Sequence, residues 1–347
     1  MTNSYKILVG DRNYTEWNLY DASHLNEVDK INMNPSSNKL FSGDTFECDV
    51  DVDSNQETQS VKILHSCVRS MPSIPGILVL NGGKTFGKYK DKYLYKCIPD
   101  DKRFPIFTIP YALKLGFSKN IDNKYIVFRF DNWSDKHPQG TIVSVLGDVD
   151  VLANYYEYQL YCKSLYASIQ TFNKTVTDAL KQKTEPEFIS SMIEKYNLED
   201  RTSESVFSID SKETSDYDDA FSIMKIGDNA YKLSIYIANV PIWMEELDLW
   251  NSFSDRISTI YLPDRKRPMM PASLSNCVCS LCEKVVRLAF AIDITIINGE
   301  IIGYKFENTY INVYKNHVYE SKELKKDDNY KLMFHVVDEL SKIYKYT

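Results

Sequence analysis

This sequence predicts a mainly β protein with added helices, and four stretches carry the prediction. Residues 1 to about 68 alternate short apolar runs with Asn, Asp, Ser and Gly, the pattern of short strands joined by turns. Leu233, Ile235 and Ile237 recur at every second position, as do Leu288, Phe290, Ile292, Ile294 and Ile296. The second of these runs leads into Asn298-Gly299, a hairpin signal. From Val151 to Asp200 the period turns helical. Thr184 with Glu187 makes a capping box, Pro186 suits a first turn, and Phe188, Ile189, Met192 and Ile193 form one apolar stripe.

At 347 residues the chain has room for two or three domains. The punctuation divides it into a first β module over 1–70, a second over 71–150, a helical connector over 151–204 and a final module over 205–347. The second module opens on Ile74-Pro75-Gly76-Ile77-Leu78-Val79-Leu80, and the last contains a loop-rich crossing from Arg256 to Pro271. Hydrophobic residues at 43% and charged residues at 26% are ordinary for a soluble globular protein.

No stretch reads as a signal peptide or a membrane span, so the expected address is intracellular, cytoplasm or nucleus, with no membrane partner. Seven scattered cysteines do not make a disulfide framework. Cys277, Cys279 and Cys282 lack the second knuckle or the histidines of a structural zinc site.

A net charge of −7 argues against indiscriminate binding to nucleic acid, whose phosphates are held mainly by Lys and Arg. Basic residues nevertheless cluster at Lys84, Lys88, Lys90, Lys92 and Lys96, and again at Arg265, Lys266 and Arg267. Phe86, Tyr89, Tyr93 and Tyr95 are interleaved with the first cluster. Half of these aromatics are expected in a barrel core and the rest on a single-strand stacking surface.

The segment richest in chemistry is Asp210-Ser-Lys-Glu-Thr-Ser-Asp216-Tyr-Asp218-Asp219. Val206-Phe207-Ser208-Ile209 leads in as a strand and Ala220-Phe221-Ser222-Ile223-Met224 leads out as another, so four carboxylates share one strand-to-strand connection. Crowded carboxylates resist joint ionisation, and a fold that collects four usually neutralises them with divalent cations. Mg²⁺ suits such a site because it takes oxygen ligands and leaves positions for water and phosphate. An EF-hand reading fails, since Ser215 and Phe221 stand where its Gly and its bidentate Glu belong.

Four blocks in order then resemble the RNase II family, the RNB-domain exoribonucleases that include the Dis3 (Rrp44) nuclease. They are Ser208-Ile209-Asp210 through Asp216-Tyr217-Asp218-Asp219-Ala220; Ile235-Tyr236-Ile237-Ala238-Asn239-Val240; Tyr261-Leu262-Pro263-Asp264-Arg265 with Pro268-Met269-Met270-Pro271; and Leu274-Ser275 with Cys279-Ser280-Leu281 and Arg287-Leu288-Ala289-Phe290. Upstream, Asn38 to Asp44 with Phe46, Cys48 and Val50 resembles the close of a first cold-shock-like domain. Arg103-Phe104-Pro105-Ile106, Val127 to Trp133, Pro138-Gln139-Gly140 and Leu146-Gly147-Asp148-Val149 resemble the second cold-shock domain of Dis3-like proteins.

The resemblance implies two cold-shock-like OB barrels followed by the N-terminal half of an α+β RNB catalytic domain. It implies 3′ to 5′ hydrolysis of single-stranded RNA to nucleoside 5′-monophosphates by a two-metal route with Mg²⁺ or Mn²⁺. Asp210, Asp216 and Asp219 would be metal ligands, and Asp218 the residue whose loss most damages turnover. Tyr261 would clamp the terminal nucleotide and Tyr319 would stack on the 3′ end. Lys84, Lys88, Lys90, Lys92, Tyr89, Tyr93 and Arg265 would bind RNA, with discrimination against DNA resting on the 2′-hydroxyl.

Two positions depart from the family pattern. Asn239 and Val286 stand where it usually has Asp. No PIN domain precedes the barrels, and the amphipathic run Leu332, Met333, Val336, Val337, Leu340, Ile343 and Tyr344 stops at Thr347, where the family's RNB domain continues. The alternative expectation is therefore an incomplete or split RNB protein that binds RNA or a partner without cleaving. A second chain would complete its domain by docking on that run.

Overall fold

The protein is described by a computed structural model over residues 3–29, 31, 33–48, 61–113, 121–253 and 255–344. Val50 and Thr347 lie outside the described residues. The chain divides into two compact units, Met1–Tyr166 and Ala167–Thr347.

The first unit begins with β1 (Asn3–Val9), β2 (Trp17–Asp21), β3 (Glu27–Val28), β4 (Thr45–Cys48) and β5 (Val61–His65), which form one sheet in the order β3-β2-β1-β4-β5. A single turn, α1 (Cys67–Ser70), capped by Ser66, leads to the next module. There β6 (Ile74–Val79), β7 (Lys88–Tyr89), β8 (Lys92–Pro99), β9 (Phe107–Tyr111), β10 (Lys124–Asn132) and β11 (Gln139–Asp148) follow in sequence. Leaving out β7, the order β6-β10-β11-β9-β8 returns to β6 through Ile77↔Ile98, and the β9 and β11 contact is parallel. That ring is the five-stranded OB arrangement, and the first sheet follows the same order without the closing pair.

Aromatic packing fuses the two modules. Phe41 of the first stacks on Phe107 of the second at 5.9 Å and meets Trp133 at 4.7 Å. Gly140 allows the close approach of β11, because a Cβ there would come within 2.7 Å of the Phe128 ring. The helix α2 (Leu152–Cys162) belongs to this unit and stacks Tyr158 on Tyr125 at 4.3 Å.

In the second unit α3 (Gln170–Leu180) and α4 (Glu185–Tyr196) pack Phe172, Val176, Phe188 and Met192 into the core. At the start of α4 the Thr184 amide donates to Glu187 Oε2 at 2.8 Å, the reach-back that the capping box predicts. A closed barrel follows: β12 (Glu199–Asp210), β13 (Asp219–Gly227), β14 (Ala230–Ala238), then β17 (Val286–Ile297) and β18 (Glu300–Val318). Between β14 and β17 lie α5 (Val240–Glu246), the two-residue strands β15 (Ile260–Tyr261) and β16 (Lys266–Arg267), and a π-helical turn over Ser273–Val278. Asn298 and Gly299 both take positive φ, 49° and 78°, and turn β17 into β18 as the sequence signal predicts.

The barrel carries a polar interior that sequence periodicity does not reveal. Buried Arg201 grips Asp293 through Nη1 to Oδ1 at 2.6 Å and Nη2 to Oδ2 at 2.7 Å, and Ser234 donates to the same carboxylate at 2.6 Å. Glu204 accepts from Ser222, Lys232 and Tyr236.

The last helix, α6 (Asp328–Ile343), corrects one expectation. Its stripe is spent within the chain: Val336 is buried, and Leu332, Met333 and Leu340 pack with it against Ile223, Leu233 and Ile296 of the barrel. Positions 332, 333, 336 and 340 share one helical face and fit the sheet, so this face is not a free docking surface. Val337, Ile343 and Tyr344 stay exposed. Among the described residues no helix is long and apolar enough to cross a membrane.

Candidate active site

The four carboxylates share the connection between two paired barrel strands. Asp210 ends β12, Asp219 begins β13, and the two strands pair at Phe207↔Phe221, so the loop between them is held at both ends. Its backbone is tied down at Asp210, Tyr217 and Asp218, and its Ser215 side chain is held as well. The Tyr217 amide donates to Ser280 Oγ at 2.9 Å and the Leu281 amide to the Tyr217 carbonyl at 2.8 Å. The Ala238 amide donates to the Asp218 carbonyl at 2.9 Å, the Tyr319 amide to the Asp210 carbonyl at 2.9 Å, and Asn276 Nδ2 to Ser215 Oγ at 2.9 Å.

Electrostatics in this loop are unfavourable without added positive charge. Burial lifts the Asp210 carboxyl above the ordinary range, Asp219 and Asp216 push it further, and Ser208 Oγ, donating at 2.8 Å, partly opposes them. Asp218 is raised by burial and then by Asp216, Asp219 and Asp210, with Lys266 opposing. Asp219 is raised by burial. Asp218 and Asp219 keep exposed faces, so water screens part of this effect.

An all-oxygen, charge-crowded donor set of this kind fits a hard divalent cation. Among the described residues, however, no three His, Cys, Asp or Glu side chains are gathered as a ready metal cage. Asp216 instead accepts from Lys266 Nζ at 3.1 and 3.2 Å.

Both predicted tyrosines flank the loop. Tyr261, 76% exposed, is the cross-strand partner of Lys266 in the β15–β16 ribbon. Tyr319, 62% exposed, follows β18 directly after Val318, which is in register with Asp210. The basic cluster beside Tyr261 divides three ways. Lys266 meets Asp216, Arg267 is buried in a bidentate pair with Asp264 at 2.6 and 2.8 Å, and Arg265 points outward with Nε 3.8 Å from Asp264.

Asn239 is buried, and its Nδ2 donates to Asn308 Oδ1 at 2.8 Å, tying the end of β14 to β18 beside the loop. Val286 lies half-buried in β17 opposite Asn312. Of Cys277, Cys279 and Cys282 only Cys279 is core, with its thiol pushed up to about 12 by burial; Cys277 is exposed and Cys282 half-buried.

Sequence reasoning missed the supports. Ser280 was visible only as part of the Cys279-Ser280-Leu281 block, and Lys266 only as part of a basic run. Their partners lie 63 and 50 residues away.

In the first unit, Lys88, Tyr89, Lys92 and Tyr93 form the β7–β8 hairpin, with Lys90 at its turn and Lys84 ahead of it. Lys88 lies over the Tyr93 ring at 4.8 Å, Lys90 over Tyr89 at 5.5 Å and Lys84 over Phe86 at 5.6 Å. Of the four interleaved aromatics only Tyr95 is core, and Phe86, Tyr89 and Tyr93 are exposed. The hairpin projects its side chains to solvent, so fewer enter the core than the expected half.

The RNB domain family profile matches residues 198–345, the stretch that holds the barrel, the carboxylate loop and the Tyr261 ribbon. The chain thus carries an RNB domain and resembles the RNase II family. This RNB protein also matches the profile of the Dis3-like cold-shock domain 2 (CSD2) over 94–158. Ribonuclease R of Mycoplasmopsis pulmonis is 38% identical over 162 residues, 42% of this chain and 21% of that protein.

In fold, the RNB protein is similar to Mycoplasma genitalium RNase R in complex with ribose methylated single-stranded RNA. The TM-score is 0.69 at 19% identity, over 99% of this chain and 52% of that one. It is also similar to yeast Ssd1, described as a pseudonuclease, with a TM-score of 0.56 at 16% identity over 97% and 47% of the two chains. The chain thus spans about half or less of the length of these relatives.

Proposed function

We propose that this RNB protein is a 3′ to 5′ exoribonuclease that hydrolyses single-stranded RNA to nucleoside 5′-monophosphates with Mg²⁺ or Mn²⁺. The observation that carries the reading is the carboxylate loop itself. Asp210, Asp218 and Asp219 are all raised by burial, and the first two also by their neighbours' charges, on a loop whose backbone is hydrogen-bonded at Asp210, Tyr217 and Asp218. Divalent cations relieve that cost by neutralising the ionised carboxylates.

Asp210, Asp216 and Asp219 would hold divalent ions, which when bound supply an activated water and stabilise the departing oxygen. Asp218 places a further negative charge at the reacting centre. Tyr319, bonded to the loop through its amide, and Tyr261, the strand partner of Lys266, are both exposed and offer ring faces to the terminal bases. Lys84, Lys88, Lys90 and Lys92 with Tyr89 and Tyr93, and Arg265 near the loop, offer charge and stacking to the strand. End-labelled single-stranded RNA incubated with Mg²⁺ tests the reading. Mononucleotides should accumulate with the wild type and not with Asp218→Asn, whereas equal products from both, or none from either, would contradict it.

A second reading, RNA binding without cleavage, is favoured by one observation: Ssd1, described as a pseudonuclease, shares the fold. Fold does not decide between them. Retained RNA affinity with no release of nucleotides in Mg²⁺ or Mn²⁺ would select this second reading.

A further inference from the structure

Lys266 straddles Asp216, with Nζ 3.1 Å from one carboxylate oxygen and 3.2 Å from the other. It stands on a ribbon of two-residue strands, and its cross-strand partner is Tyr261. The next residue, Arg267, is buried and clamped to Asp264 by two hydrogen bonds of 2.6 and 2.8 Å. One anchor of the ribbon is therefore internal to it, and another is made to the carboxylate loop. A two-stranded ribbon this short has little stability of its own, so the contact to Asp216 has leverage over Tyr261.

An ammonium and a divalent cation compete for the same oxygens. The cation carries twice the charge and takes several carboxylates together, whereas Lys266 neutralises one. We propose that Lys266 is a positioning residue that serves as a tethered stand-in for the divalent cation, holding Asp216 while the loop is empty and yielding it when metal enters. Metal occupancy then sets the freedom of the ribbon that carries Tyr261. The terminal-nucleotide clamp is held by its lysine before metal binding and released to close on RNA afterwards. The inference rests on the metal-dependent reading of the loop.

The test uses the full chain without RNA, so that turnover is not the readout. Lys266→Met keeps the length of the side chain and removes its charge. Calorimetric titration with Mn²⁺ should show roughly threefold to fivefold tighter binding in Lys266→Met than in the wild type, the worth of one partly exposed ion pair. Lys266→Arg should stay near the wild type, and Lys266→Met should have no further effect in an Asp216→Asn background.

Hydrogen exchange of the 260–267 amides gives a second measurement. Mn²⁺ should speed it in the wild type, while in Lys266→Met it should be fast already and indifferent to metal. Lys266→Gln repeats both measurements if the Met variant folds poorly.

Wild-type Mn²⁺ binding together with unchanged or weaker binding in Lys266→Met would overturn the proposal. Ribbon exchange that ignores metal in the wild type would do the same. If the wild type itself binds no Mn²⁺, the metal-dependent reading falls and the stand-in falls with it.

Discussion

Tyr319 donates its backbone amide to the carbonyl of Asp210 at 2.9 Å, so the ring expected to stack on RNA is joined directly to the residue that closes β12. The side chain itself remains 62% exposed. The backbone of Tyr319 therefore does structural work while its ring is free for a ligand. Tyr319→Ala should weaken single-stranded RNA binding by about 1–3 kcal/mol, the usual worth of one base–aromatic stack. Its stability should move by no more than about 0.5 kcal/mol, as for other exposed positions. Tyr319→Phe should keep both properties. Fluorescence anisotropy with labelled RNA and a urea melt of each variant check this, and a large stability loss in Tyr319→Ala would assign the ring to packing.

The three raised carboxylates give a pH dependence whose sign is fixed. Asp210, Asp218 and Asp219 have folded-state pKa values above the ordinary carboxylate range. Between the unfolded value of about 4 and those raised values, the folded protein holds more protons than the unfolded chain. Stability without metal therefore falls as pH rises through that window. A cation that binds the ionised loop offsets the loss, and binds more strongly as the protons leave. The gain in Tm on adding Mg²⁺ or Mn²⁺ should grow from about pH 5 to pH 8, and Asp218→Asn should flatten this growth while raising the metal-free Tm at neutral pH. Differential scanning fluorimetry over that range measures both.

What was legible in the sequence was what is local. The Asn298-Gly299 turn, the Thr184 and Glu187 cap and the strands on either side of Asp210 to Asp219 each follow from adjacent residues. The carboxylates could be read because all four lie on one connection. The supports could not, because Ser280, Lys266 and the backbone amide of Tyr319 reach the loop only after the barrel closes. The α6 stripe shows the opposite failure. Its period is plain in the sequence, yet a helical face looks the same there whether its own barrel or another chain covers it.

Arg201 and Asp293 are a buried pair that periodicity gave no reason to expect. Burial pushes the Asp293 carboxyl up, but the hydrogen bonds from Arg201 and Ser234 outweigh it and hold the pKa below the ordinary range. Its contribution to stability is present above the unfolded carboxylate pKa and is lost as pH falls through the folded one. Arg201→Met should destabilise the protein by about 3–5 kcal/mol, because it leaves Asp293 buried and uncompensated. Arg201→Met with Asp293→Leu should recover part of that loss. Denaturant melts of the two variants decide it, and an equal loss in both would place the cost in packing rather than charge.

The last prediction concerns the β7–β8 hairpin. Lys84, Lys88 and Lys90 each lie over an aromatic ring of the same cluster, so charge and stacking faces are already interleaved at its surface. If this surface carries RNA, affinity for a single strand should fall with salt at a log–log slope of about 0.7 per phosphate contacted. Replacing Lys84, Lys88, Lys90 and Lys92 with Gln should flatten that slope by up to roughly three units. Metal-induced stabilisation of the carboxylate loop should be unchanged, because the loop lies in the other unit. The net charge of −7 sharpens the measurement, since no general basic surface stands in for the lost lysines. A quadruple variant that keeps the wild-type slope would make the hairpin a solvated face and move the RNA path elsewhere.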